Sequence, residues 1–228
     1  MNALESSFEL YTNWFGPLTD YQGFTVIEVP EGYGSQADIA AAILTADNFH
    51  EPYDMSGIYH EMSHVWNVPN LDPVPCRFEN EGLAQFLQFL LLEKLDHREN
   101  AVSSAAQWYL DRVRNDFNEN KEYRNIAIKD FGIHDMTEYS YTLGMVVFAI
   151  FYELVGQDQF NKIIRSFYSA YYSRGATLNE FVNHCQESGP HGLEVFFNDW
   201  IYSTEGIKLV VEGRTFSELL QYYKASSD

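Results

Sequence analysis

The stretch Ile58-Tyr59-His60-Glu61-Met62-Ser63-His64-Val65-Trp66-Asn67 contains the spacing H-E-x-x-H at His60, Glu61 and His64. On a helix, positions four apart sit one turn above each other on the same face. His60 and His64 can therefore aim their imidazole nitrogens at one metal ion, and Glu61 lands where it can take a proton from a water that the metal activates. This is the zinc-peptidase reading of the spacing. The bland alternative is an amphipathic helix with two surface histidines, and five residues alone do not decide between them.

A catalytic zinc takes three protein ligands and keeps one position open, and two histidines with a glutamate form one of the standard sets. Glu79-Asn80-Glu81-Gly82-Leu83-Ala84-Gln85-Phe86 offers the third ligand. Glu81 opens the apolar run Leu83 to Leu92, which reads as a buried helix. A glutamate there is costly unless it is paired or ligates a metal. A helix over about 54–66, a connector with Pro69, Pro73 and Pro75, and a second helix from about Glu79 form a helical hairpin. Sixteen residues lie between His64 and Glu81, enough for the return. Glu79 is a rival ligand projecting from another side of the helix; Glu81 is preferred.

His60-Glu61-x-x-His64-x-Trp66, followed by Asn80-Glu81-Gly82-x-Ala84, resembles the gluzincin zinc peptidases, specifically the aminopeptidase N family. The continuation Trp66-Asn67-Val68 is closer to the related glycyl aminopeptidase family. Glu138-Tyr139-Ser140-Tyr141-Thr142-Leu143-Gly144-Met145 resembles the family's Y-x-K-G segment, with Leu143 in place of the lysine. The resemblance implies one Zn2+ per chain held by His60, His64 and Glu81. It makes Glu61 the general base and gives Tyr141 the stabilisation of the oxyanion. A phenol suits that task, because it donates to charge that develops only in the transition state. Tyr139 is the neighbouring alternative, and packing at a helix start is the structural one.

The implied fold is α+β and mainly helical, a thermolysin-like zinc peptidase domain. A small strand-containing N-terminal lobe spans about 1–70 and a helical lobe about 71–228. Both families carry a β-rich domain upstream that this chain lacks, so a longer protein with an upstream domain as partner is expected. The implied substrate is a peptide or small protein. The loop Gly34-Ser35-Gln36-Ala37-Asp38 carries no glutamate where the family anchors a free amino terminus. Aminopeptidase, dipeptidyl and endopeptidase action thus stay open. A non-catalytic scaffold that binds a partner peptide and a zinc hydrolase of a non-peptide substrate are the competing readings.

Composition bounds the rest. At 228 residues the chain is long enough for one large domain with a sizeable core. Hydrophobic residues make up 46% and aromatics 16%, the profile of a globular protein. The net charge of −19 argues against a nucleic-acid backbone or an anionic membrane as partner. No apolar run reaches transmembrane length, so no membrane insertion is expected. Met1 to Leu10 contains Glu5 and Glu9 and no basic start followed by an apolar core, so no signal peptide is read there, and the compartment stays open. Cys76 and Cys185 permit one disulfide; Cys76 otherwise reads as an unreactive loop thiol.

Periodicity predicts helices over about 3–14, 101–122, 139–155, 157–172, 177–187, 191–201 and 216–223, and strands at 24–29 and at 208–211. The run Ile39 to Thr45 is too alanine-rich to assign by periodicity; the resemblance places an edge strand there, suited to pairing with an extended peptide. His50 is near the cleft by sequence, and His97, His134, His184 and His191 have no ligand spacing. Gln85, one turn after Glu81, is a candidate to orient a ligating histidine.

Overall fold

Helix α1 (Ala3–Phe15) buries Tyr11, Trp14 and Phe15, and ends as expected before Gly16-Pro17. The structure, a computed structural model, describes residues 3–18, 25–33, 35–38, 41–49 and 55–226. Three strands follow α1: β1 (Thr25–Val29), β2 (Gln36–Asp38) and β3 (Ala41–Thr45). Their order is β1-β3-β2. β3 runs parallel to β1, pairing Ile27 with Ile43, and antiparallel to β2, pairing Ala37 with Ala42.

The run ending at Thr45 is therefore not an edge strand, as expected from the sequence, but the centre of the sheet. Ala42 and Leu44, both fully buried, explain this: alternate residues of β3 face the core while both its backbone edges are paired. Among the described residues, the sheet edge nearest in sequence to the helix that carries His60 belongs to β2. β1 stays largely exposed, with Ile27 at 45%.

The rest is helical: α2 (Ser56–Ser63), α3 (Leu83–Lys94), α4 (Ala101–Glu119), α5 (Glu138–Val155), α6 (Gln157–Tyr171), α7 (Leu178–Ser188), α8 (Leu193–Phe197), α9 (Glu205–Val211) and α10 (Phe216–Ser226). α5 is the central rod. Residues from Leu143 to Phe151 are all buried, and α3, α4, α6 and α10 pack around it. Its composition is apolar because it is surrounded by protein; among the described residues no single helix is long and apolar enough to cross a membrane.

The expected strand at 208–211 is instead the end of α9. The β-branched run there misleads, because Gly206, Ile207 and Val210 bury one helical face. Arg114 then holds the helix end, donating from Nε to the Val210 carbonyl at 2.8 Å and from a terminal nitrogen to the Arg214 carbonyl at 2.9 Å. α7 opens with a capping box, in which the Thr177 side chain accepts from the Glu180 backbone N–H and Glu180 accepts from the Thr177 N–H at 2.9 Å.

Candidate metal centre

Helix α2 and the turn that continues it present His60 and His64 to one side because the other faces are tied down. Tyr59 and Met62 are fully buried. The Tyr11 hydroxyl donates to the Tyr59 carbonyl at 2.8 Å, and the Trp66 indole donates to the Gly16 carbonyl at 2.9 Å. After Ser63 the helix tightens into a 3₁₀ turn, His64–Trp66. The rings of His60 and His64 end 5.0 Å apart, centre to centre.

Glu81 reaches them from the far side of the hairpin. It sits in a π turn, Phe78–Gly82, that leads into α3, a distortion frequent at functional sites. Its Oε2 lies 3.3 Å from His60 Nε2 and 3.5 Å from His64 Nε2. Ligand atoms at zinc bond lengths around a tetrahedral ion lie about 3.3–3.6 Å apart, and both distances from Glu81 fall in that range. Among the described residues, this is the one group of three or more histidines, cysteines or acids gathered closely enough to hold a metal. Burial opposes ionisation of Glu81. The hydrogen bonds to His60 and His64 and the charge of Arg77 outweigh it and hold the carboxyl well below its ordinary range. Arg77 grips the other oxygen, Oε1, so Glu81 offers a single oxygen to the centre.

Tyr141 joins from α5, its ring stacked on His60 at 6.0 Å and 8°. Two glycines bring it there. A Cβ on Gly82 would lie 2.8 Å from the Gly144 Cα, and one on Gly144 would lie 2.7 Å from the Gly82 Cα. The residue after Glu81 and the residue three after Tyr141 are thus the crossing point of two helices. Ser140 adds a tie by donating its hydroxyl to the Cys76 carbonyl in the connector. Burial pushes the Tyr141 phenol up to about 12, with the charges of Glu81 and Glu61 adding to it, so it stays protonated and able to donate at neutral pH. Glu61 is buried, and burial raises its carboxyl; His60 and His64 pull it down and Glu81 pushes it up.

The alternatives fall elsewhere. Tyr139 packs edge-on against Phe117 at 5.0 Å and reaches Asp116 at 3.5 Å, away from the histidines. Glu79 turns back to Asn70 and contributes no oxygen to the centre. Gln85 does not orient a histidine. Its amide donates to the Tyr109 hydroxyl at 2.9 Å, because its position on α3 faces α4. Cys76 and Cys185 are free and buried, and burial pushes the Cys76 thiol up to about 12. His50 lies outside the described residues, as do Gly34 and the side chains of Ala37 and Asp38.

Two residues at the centre had escaped the sequence reading. Arg77 stands four before Glu81, with its guanidinium 5.7 Å from the Tyr141 ring centre; a basic residue one turn before a buried acid was the available signal. Asn67 lies three after His64 and touches its Nδ1.

The sequence matches the Peptidase family M1 domain over residues 50–200. No curated protein matches it. Among solved structures it is similar to native leukotriene A4 hydrolase from Saccharomyces cerevisiae, with a TM-score of 0.70 and 16% identity over 89% of this chain and 35% of that one. It is similar to an M1 zinc metallopeptidase mutant from Deinococcus radiodurans bound to a Tyr-Ser-Ala substrate, with a TM-score of 0.67 and 16% identity over 86% of this chain and 43% of that one. The M1 zinc metallopeptidase from the same organism gives a TM-score of 0.63 and 18% identity, over 94% of this chain and 44% of that one. The chain spans less than half the length of each of these structures.

Proposed function

The chain belongs to peptidase family M1, and from that premise we propose that it is the metal-binding part of a zinc-dependent peptide hydrolase. The observation that carries the reading is the convergence of ligand atoms from His60, His64 and Glu81 within 4.8 Å of one another, with Glu81 Oε2 at zinc-ligand spacing from both imidazoles. These residues would hold one zinc per chain. Zinc bound there supplies a Lewis acid for the scissile carbonyl and makes water a better nucleophile at neutral pH.

The chain's own groups do the rest. Glu61 takes the proton of the attacking water and passes it to the leaving amine. Its burial supports this role, because a carboxyl raised from its ordinary value is a stronger base. Tyr141 donates a hydrogen bond to the oxyanion, and its raised pKa keeps the donor in place. Arg77 holds Glu81 to one ligating oxygen. The free edge of β2 offers backbone groups to an extended peptide. Exopeptidase and endopeptidase action both remain compatible with this site.

The domain reading is part of the proposal: one thermolysin-like catalytic unit, with a strand-containing portion to about residue 70 and a helical portion beyond it. Its proposed partner is an upstream domain; the length of the related structures supports a longer protein. A second reading, hydrolysis of a non-peptide substrate at the same centre, draws on the similarity to leukotriene A4 hydrolase.

The test is cleavage of a mixed peptide library by purified zinc-loaded protein, with Glu61→Gln as control. The expected result is cleavage that a chelator stops, with Glu61→Gln inactive yet binding zinc as the wild type does. Cleavage by Glu61→Gln at the wild-type rate would remove Glu61 as the base. Zinc bound without cleavage of any peptide would move the reading to a peptide-binding scaffold or a non-peptide substrate.

A further inference from the structure

The side chain facing the far nitrogen of His64 belongs to Asn67, its amide 2.6 Å from Nδ1. The same amide is bonded to the Asn80 side chain. Asn67 closes the turn after α2, and Asn80 immediately precedes Glu81. The residue leaving the histidine helix and the residue before the third ligand are therefore tied across the hairpin, side chain to side chain. Beside them lies a small cavity of about 20 Å³, lined by Asn67, Asn80 and Glu79 and walled by Trp66, Phe167 and Phe181.

Glu79 is the unexplained group. One carboxyl oxygen is held by Asn70. The other, Oε2, is closed to solvent and has no hydrogen-bond partner. A buried polar atom left that way is destabilising unless a water meets it. A cavity holding about 10–15 Å³ accommodates one water, provided two to four polar groups surround it. The volume suffices, and three polar side chains line it.

We propose that Asn67 is a positioning residue for His64, steadied directly by Asn80 and, through one buried water in this cavity, by Glu79. Chemistry fixes the direction of the relay. A histidine that ligates through Nε2 carries its proton on Nδ1, so the group facing Nδ1 must accept. The oxygen and nitrogen of an amide exchange places by a half-turn. With the Asn67 oxygen toward His64, the Asn80 amide turns its nitrogen to that same oxygen and donates to it. The two asparagines then hold His64 in the tautomer that binds metal. The inference rests on the zinc reading of His60, His64 and Glu81.

The experiment measures the zinc dissociation constant by competition with a chromophoric chelator in wild type, His64→Ala, Asn67→Leu, Asn67→Asp and Glu79→Leu. Thermal melts of the metal-free proteins monitor folding. Leucine matches asparagine in size but cannot accept; aspartate accepts and cannot donate. The relay predicts that Asn67→Leu weakens zinc binding by about 10–100-fold, that Asn67→Asp keeps it near wild type, and that Glu79→Leu weakens it less than Asn67→Leu does. A crystal structure with zinc should show a water on Glu79 Oε2. If wild type binds zinc and His64→Ala does not, yet Asn67→Leu binds as wild type, the relay is wrong and the zinc site stands. If Asn67→Leu fails to fold, Asn67→Asp decides: affinity lost there overturns the accepting role. Wild type that binds no zinc overturns both readings.

Discussion

The proposed function gives Glu61 and Tyr141 separable jobs, and kinetics can tell them apart. Removing a single oxyanion donor typically costs about 10²–10³ in kcat. Tyr141→Phe should therefore lower kcat by that order, leave KM within a few-fold and leave zinc content unchanged; an unchanged kcat would take Tyr141 out of the mechanism. At this scale the sequence was informative where chemistry depends on spacing along one helix. The gathering of His60 and His64 was legible because a four-residue step puts two rings on one face. Glu81 was legible because an acid opening an apolar run needs a reason. Arg77 and Asn67 were not, since their contacts with Glu81 and His64 depend on rotamers and on how the hairpin closes. Gln85 shows the opposite error: one turn from Glu81 is a true spacing, but the turn faces Tyr109.

The crossing of α5 with the π turn that leads into α3, at Gly144 and Gly82, ties Glu81 to Tyr141. Each glycine leaves space that the other backbone fills. Gly144→Ala forces the helices apart at that point, at a cost of about 1–3 kcal/mol by the usual scale for overpacking. It should lower the midpoint of urea unfolding and reduce kcat together, because Tyr141 moves with α5. A stable, fully active Gly144→Ala would show that the crossing does not set the tyrosine.

The capping box of α7 makes a pH prediction. The Thr177 N–H, foremost, and Arg174 hold the partly exposed Glu180 carboxyl below its ordinary value. A lowered carboxyl stabilises the fold above its ordinary range and loses that contribution as pH falls through its lowered value. Thermal melts should therefore show Glu180→Gln less stable than wild type at pH 7, with the gap narrowing toward pH 3. A gap that is constant with pH would deny the charge its role. Element boundaries at caps and glycines were legible in the sequence. β3 and α9 were not, because a short apolar run does not reveal which partners surround it, and partners made one a central strand and the other a helix.

Over the whole molecule, the candidate metal centre belongs to a mainly helical body organised on α5, with the histidine helix clamped to α1 through Tyr11 and Trp66. The broad class was legible because buried helices declare themselves by composition and period, and the family resemblance added the connectivity. Clamping the centre to distant elements means that ligating it should stabilise the entire fold: a ligand at 100 times its dissociation constant contributes about 2.7 kcal/mol to the native state. The measurement that bears most directly on the account is zinc per chain in purified protein by elemental analysis, beside His64→Ala. The account predicts about one zinc in the wild type, removable by chelator with a fall in melting temperature, and none in His64→Ala. A wild type that takes up no zinc even when it is supplied, or a His64→Ala variant that retains it, would contradict the convergence of His60, His64 and Glu81 on a metal.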